Sequence, residues 1–248
     1  MKLRIAYLYP DLLNIYGDRG NVLTLFRRCQ WRGIAVEIDY LDLGSSIDAD
    51  RYDLYFMGGG QDTQQARVCE DLQQVKKESL LVAAQNQAVF LTVCGGYQLL
   101  GHYYKPHEGP ELRGLSLIDA HTVAGHKRHI GNIVIERTSA LTGNLETVVG
   151  FENHSGLTYL GKAVSPLGQV KTGSGNNGED ATEGVAQGNI YGTYLHGSLL
   201  PKNPALADEL LFKALSRGHA QEQVKSALIP LEDALESMAH QRALLLKA

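Results

Sequence analysis

VFLTVCGGYQLLG, residues 89–101, decides how this sequence folds. Val89 to Val93 form an apolar, β-branched run that is short enough for a buried strand. The run stops at Cys94, Gly95 and Gly96 follow at once, and a helical stretch begins. A strand that turns through glycines into a helix, with one nucleophilic side chain at the turn, is the cysteine counterpart of a nucleophile elbow. The glycines allow the sharp turn and keep bulk away from the sulfur. The first amides of the helix point at that sulfur and favour thiolate over thiol. A buried structural cysteine is the competing reading. Cys29, on the apolar face of a helix, fits that reading, and Cys69, in a polar helix, is ambiguous.

Upstream of the elbow, strands and helices alternate. Residues 3–9 read as a strand. Asp18 stands as N-cap of a helix carrying Val22, Leu23, Leu25, Phe26 and Cys29, and Gly33 ends it. Residues 34–41 and 54–57 are further strands, the second closed by Gly58-Gly59-Gly60. A polar helix over 63–85 leads into the strand before Cys94. This order predicts an α/β fold with parallel strands and right-handed crossovers. Chemistry in such sheets sits outside the carboxyl ends of the strands, where Gly58–Gly60 and Cys94 both fall. The second half changes character. Residues 129–136, 148–151 and 189–195 read as shorter, partly antiparallel strands, and KTGSGNNGED (171–180) as a flexible loop. From Pro204 the pattern is helical, and after Pro230 Leu231, Leu235, Met238 and Leu245 share one face.

The 248 residues allow one sizeable domain or two small ones, and a 44% hydrophobic share allows a proper core. A net charge of −4 without a Lys/Arg cluster argues against nucleic acid or an anionic membrane as partner. No apolar run approaches the ~20 residues of a membrane span, and MKLRIAYLYP is too short in its apolar part for a signal peptide. Three widely spaced cysteines favour a reducing cytoplasm over a disulfide framework. No C-x-x-C or H-E-x-x-H spacing offers a metal site.

A thiolate nucleophile needs an acid and a base, usually histidine. Of nine histidines, His196 stands out because it ends a strand (190–195) and precedes Gly197. His219 and His240 read as solvated, and His121, His126 and His129 as an exposed cluster. Backbone amides around Gly59 and Gly60, with that of Gly95, would form an oxyanion hole. The glycine triplet lacks the G-K-[ST] ending of a P-loop and the spacing of a dinucleotide site, so the chain offers no place for ATP.

Together, GGG after a strand, C-G-G-Y-Q at an elbow and T-Y-L-H-G late in the chain resemble a class I glutamine amidotransferase domain of the cobyric acid synthase-like branch. YPDLLNIYGDRGN, MGGGQD, RHIGN and FENHSG look like the glutaminase subunits of lipid II isoglutaminyl synthases. The resemblance covers about residues 1–215, leaving 216–248 as a helical extension packed on the domain or on a partner. It implies a Rossmann-like three-layer sandwich with a mixed, mostly parallel sheet. It implies that Cys94 forms a γ-glutamyl thioester from L-glutamine and that His196 moves the protons. It gives Gln98 a part in holding glutamine and Arg128 the substrate carboxylate; a solvated charge in a basic loop is the other reading of Arg128. Glu152 and His154 either line the site or form an exposed pair. ATP and Mg would belong to a Mur-ligase-like synthetase partner, which would amidate the D-glutamate α-carboxyl of the lipid II stem peptide.

One departure from the class pattern stands out. Many class I domains carry His-x-Glu, whereas this chain has His196-Gly197-Ser198. The expectation is a Cys–His dyad within the chain, or a site completed by a partner's carboxylate. Two other functions share the motifs: a stand-alone γ-glutamyl cysteine hydrolase of the same fold, and a regulatory subunit that has kept the fold without the chemistry.

Overall fold

A computed structural model describes residues 1–197 and 199–246. In chain order the first elements are β1 (Lys2–Leu8), α1 (Arg19–Trp31), β2 (Ala35–Leu41), β3 (Leu54–Met57), α2 (Asp62–Asp71), a π-helical turn (Leu72–Lys76) and α3 (Lys77–Gln85). Next come β4 (Val89–Val93), α4 (Gly95–Leu100), β5 (Tyr103–Lys105), β6 (Leu112–Arg113), β7 (Ala120–Thr138) and β8 (Leu145–Leu160). The chain continues through β9 (Gly168–Thr172), β10 (Thr182–Glu183), β11 (Val185–Gln187), β12 (Ile190–Thr193), α5 (Leu199–Lys202), α6 (Pro204–Leu215), α7 (Gln221–Ala227) and α8 (Ala234–Leu244).

One six-stranded sheet has the order β11-β12-β4-β3-β1-β2, parallel except where β11 meets β12. β3 and β4 are buried along their whole length, as central strands covered on both faces must be. The edge strand β2 is half exposed. Helix α6 packs on β1 and β4, and α1 beside α6. The strand order reverses at β1, so the connections after β1 and after β3 leave for opposite faces. Such a switch point opens a crevice at the carboxyl edge of an α/β sheet.

The second half departs from the short strands expected of it. β7 and β8 form one long antiparallel hairpin, interrupted by a register shift between Ala124 and His129. With β5, β6, β9 and β10 it builds a second sheet. This sheet docks on the first where Leu195 bridges Glu152 and the His196 amide donates to Phe151 O. The 171–180 segment is folded around its asparagines. Asn176 and Asn177 are buried, and their amides donate to Gly184 O and Thr158 O. Among the described residues no helix is long and apolar enough to cross a membrane.

Candidate active site

Cys94 follows β4 directly, with φ 51° and ψ −109°. That left-handed backbone costs a non-glycine residue about 1–3 kcal/mol. Its neighbours hold it there: Cys94 N–H donates to Thr193 O, and Gln98 N–H to Cys94 O, both at 2.9 Å. Gly96 is needed for space. A β-carbon there would lie 2.6 Å from Met57 O and 2.9 Å from Gly58 O. α4 therefore starts hard against the end of β3. The other two thiols are differently placed. Burial pushes Cys29 up to about 12, and Cys69 donates its S–H to Arg113 O.

His196 leaves the end of β12 and meets the elbow. A β-carbon on Gly59 would stand 2.9 Å from His196 Cε1 and 3.1 Å from Cys94 Cβ, so imidazole and thiol flank one glycine. His196 Nε2 is buried without a hydrogen-bond partner among the described residues. Nδ1 lies 3.3 Å from both carboxylate oxygens of Asp18. Burial alone would lower the His196 pKa. The charge of the Cys94 sulfur and the hydrogen bond that the ring donates to Asp18 outweigh it and raise the group to about 10.

Asp18 does not cap α1 as its position suggested. It stands at the N-cap but makes no capping bond through its side chain. Fully buried, its carboxylate turns inward instead and accepts the amides of Gly59 and Gly197, both at 2.9 Å. This corrects the expectation of a bare dyad or an acid supplied by a partner, because the carboxylate facing His196 comes from the loop after β1. Ser198 itself lies outside the described residues. The expected oxyanion hole changes too. The Gly59 amide is committed to Asp18, while those of Gly60 and Gly95 make no hydrogen bond among the described residues.

A cleft of about 340 Å³ opens beside the thiol, lined among others by Gly60, Gln65, Cys94, Gln98, Arg128 and His154. Arg128 sits in the bulge of β7 rather than in a loop. It donates to Asn153 Oδ1 at 2.7 Å and to the Tyr16 hydroxyl at 3.1 Å. The Tyr16 ring in turn packs edge-on against His196, centroids 4.8 Å apart. Gln98 Nε2 donates to the Tyr194 hydroxyl at 3.1 Å. Glu152 and His154 are buried, which removes the exposed-pair reading. His154 stacks on Tyr194 at 3.6 Å, and Glu152 accepts the amides of Ser174 and Gly175. Gln65, not singled out in the sequence, packs over Gly95 and donates to Gly60 O. A larger cleft of about 450 Å³, lined by β8 and α8 residues, contains no thiol. His240 lines it and is bonded to Thr147 rather than solvated.

Residues 4–204 match the CobB/CobQ-like glutamine amidotransferase domain. The chain is 41% identical over 222 residues to the lipid II isoglutaminyl synthase (glutamine-hydrolyzing) subunit GatD of Streptococcus pneumoniae, covering 89% of this chain and 84% of that one. It is 41% identical to the protein of the same name from Staphylococcus aureus, covering 87% and 86%. The structure of PurLQS from Thermotoga maritima shares the fold, with a TM-score of 0.58 at 17% identity over 92% of this chain and 98% of that one. The domain match over most of the chain, and relatives of this similarity over nearly their full length, make this chain a member of the CobB/CobQ-like glutamine amidotransferase family.

Proposed function

We propose that this chain is the glutamine-hydrolysing subunit of a lipid II isoglutaminyl synthase. The Cys94 sulfur attacks the side-chain amide carbon of L-glutamine, and the oxyanion is met by the amides of Gly60 and Gly95. His196, an imidazolium at neutral pH, gives its proton to the departing nitrogen. Ammonia leaves, and a γ-glutamyl thioester remains on Cys94. The neutral imidazole then takes a proton from water, whose oxygen attacks the thioester. Glutamate is released and the thiolate–imidazolium pair is restored. Asp18 holds Nδ1 and stabilises the imidazolium, the part a carboxylate plays in a triad. Arg128 takes the substrate carboxylate as a charge-assisted pair, and Gln98 supports the substrate at the elbow.

The ammonia passes to a Mur-ligase-like synthetase that uses ATP and Mg to activate the D-glutamate α-carboxyl of lipid II. The product is D-isoglutamine, which puts the chain in cytoplasmic peptidoglycan synthesis. Residues 1–215 form the amidotransferase domain and 216–248 an extension, whose described residues, to 246, dock on it. In support, the buried Arg28 donates to Asp208 of α6 and to Asp233 just before α8.

The observation that carries this reading is the convergence of Cys94 and His196 on Gly59 with Asp18 behind. It occurs in a chain 41% identical to proteins named for glutamine hydrolysis. The test is an electrophilic glutamine analogue followed by mass spectrometry, with ammonia release measured with and without the synthetase. Labelling of Cys94 alone, and glutamine hydrolysis that a Cys94→Ala variant abolishes, is the expected result. Glutamine-dependent amidation unchanged in Cys94→Ala would return the chain to a regulatory role.

A further inference from the structure

The cleft beside Cys94 holds one unlike pair of charges. Among its described lining residues Asp62 is the only carboxylate and Arg128 the only permanent cation. Asp62 is the first residue of α2, two positions after Gly60. Its Oδ1 accepts the hydroxyl of the buried Tyr104 at 3.1 Å. Burial, and then Asp62 itself, raise the Tyr104 pKa well above the ordinary range, so this hydroxyl stays a donor. Asp62 Oδ2 accepts no hydrogen bond among the described residues, and no described Lys, Arg or His pairs with the carboxylate. Two residues that line the cleft, Gln65 and Gln98, also carry buried side-chain oxygens that the protein leaves unpaired. Gln65 Oε1 and Gln98 Oε1 lack partners although their residues are only 3% and 4% exposed. Buried polar atoms without partners are rare in folded proteins and call for an explanation. A ligand rich in N–H groups supplies one.

We propose that Asp62 anchors the α-ammonium group of the substrate, so that with Arg128 it makes the cleft selective for a free, zwitterionic amino acid. This rests on the glutaminase reading and adds a specificity-determining residue to it. With the side-chain amide at Cys94 and the α-carboxylate at Arg128, glutamine has one charged group left, and Asp62 is the group of opposite sign. An acid in the first turn of α2 also favours the helix dipole, but that effect is blind to the substrate.

The experiment compares ammonia release from L-glutamine and from glutaramate, which has the same amide and carboxylate but no amino group. Losing a charge-assisted hydrogen bond lowers kcat/KM about ten- to a hundred-fold. Wild-type protein is expected to prefer glutamine by that margin. Asp62→Asn raises KM for glutamine and brings the two substrates to near parity, and Asp62→Glu restores part of the preference. Tyr104→Phe keeps the charge but frees the carboxylate, and narrows the preference about threefold. A helix-stabilising Asp62 predicts instead equal losses on both substrates with a lower Tm. That result, or a wild-type protein indifferent to the amino group, overturns the proposal while the glutaminase stands. A wild type that hydrolyses neither substrate and leaves Cys94 unlabelled by the glutamine analogue removes the glutaminase and this proposal with it.

Discussion

Asp18 and His196 lie 178 residues apart in sequence, and the Asp18 carboxylate stands 3.3 Å from the His196 ring. The switch point makes this possible. The loop after β1 and the turn after β12 meet over the end of β3, and the Gly59 amide is clamped between them by Asp18. The same carboxylate also holds the Gly197 amide, so one side chain fixes both the imidazole and the turn that carries it. A site assembled this way needs no outside acid. Glutamine hydrolysis by the chain without its partner is the direct consequence.

Asp18→Asn keeps the shape and removes the charge. The sign of the effect on His196 follows from what raises it. Burial lowers its pKa, while the Cys94 sulfur and then Asp18 bring it up to about 10. Without Asp18 the imidazolium loses its proton at lower pH. The acid for ammonia departure is then missing at alkaline pH, and the alkaline limb of kcat/KM moves down from about 10. The rate at neutral pH falls about 10²–10⁴-fold. Titration of labelled histidine by NMR would read the same shift, and Cys94→Ala should lower it as well. An alkaline limb that stays in place would remove Asp18 from the mechanism.

Two glycines should answer to alanine in opposite ways. At Gly96 the added methyl meets the Met57 and Gly58 carbonyl oxygens, which are backbone and cannot rotate aside. Gly96→Ala is expected to cost about 1–3 kcal/mol and to displace the elbow, with loss of activity. At Gly20, near the start of α1, nothing lies within 4 Å of the new methyl. Gly20→Ala should leave activity intact and stabilise by about 0.5 kcal/mol through helix propensity. Urea unfolding of the two variants checks both signs.

The alternation of strand and helix up to Cys94 was legible because the central strands are buried on both faces and read as plain apolar runs. The elbow was legible for a related reason, since Cys94 directly follows such a strand, and His196 because it comes shortly after the strand Ile190–Thr193 and just before a glycine. The long β7–β8 hairpin was not. Its bulge gathers His126, Lys127 and Arg128 into what reads as a basic loop, and its alternating polar residues hide the strand period. Asp18 was hidden by a local explanation that sufficed, because an aspartate ahead of an apolar helix is an ordinary cap. The signal available was Gly17 beside it, a residue suited to the positive φ of +80° that it adopts there. Gln65 was lost in a polar helix, where most glutamines and glutamates face solvent and Val68 and Cys69 account for the buried side. Only the packing against Gly95 sets it apart.

Glu183 tests the electrostatics behind the site. It is fully buried, with Oε1 accepting the Thr193 hydroxyl at 2.6 Å and the Tyr194 amide at 2.8 Å, and Oε2 without a partner. Burial raises its pKa to about 7 against the downward pull of the Thr193 and Tyr194 bonds. Between the ordinary glutamate value of 4.5 and 7, the folded chain therefore keeps a proton that the unfolded chain has lost. Where the folded state binds the extra proton, stability falls as pH rises. The cost grows across that window and then levels off, at ~3 kcal/mol for a shift of this size. Glu183→Gln keeps the acceptor toward Thr193 and Tyr194 and cannot ionise, so its stability has no such slope. The variant should unfold at higher urea than wild type at pH 8 and lose that advantage at pH 5. An equal difference at the two pH values would mean that Glu183 holds the same charge at both.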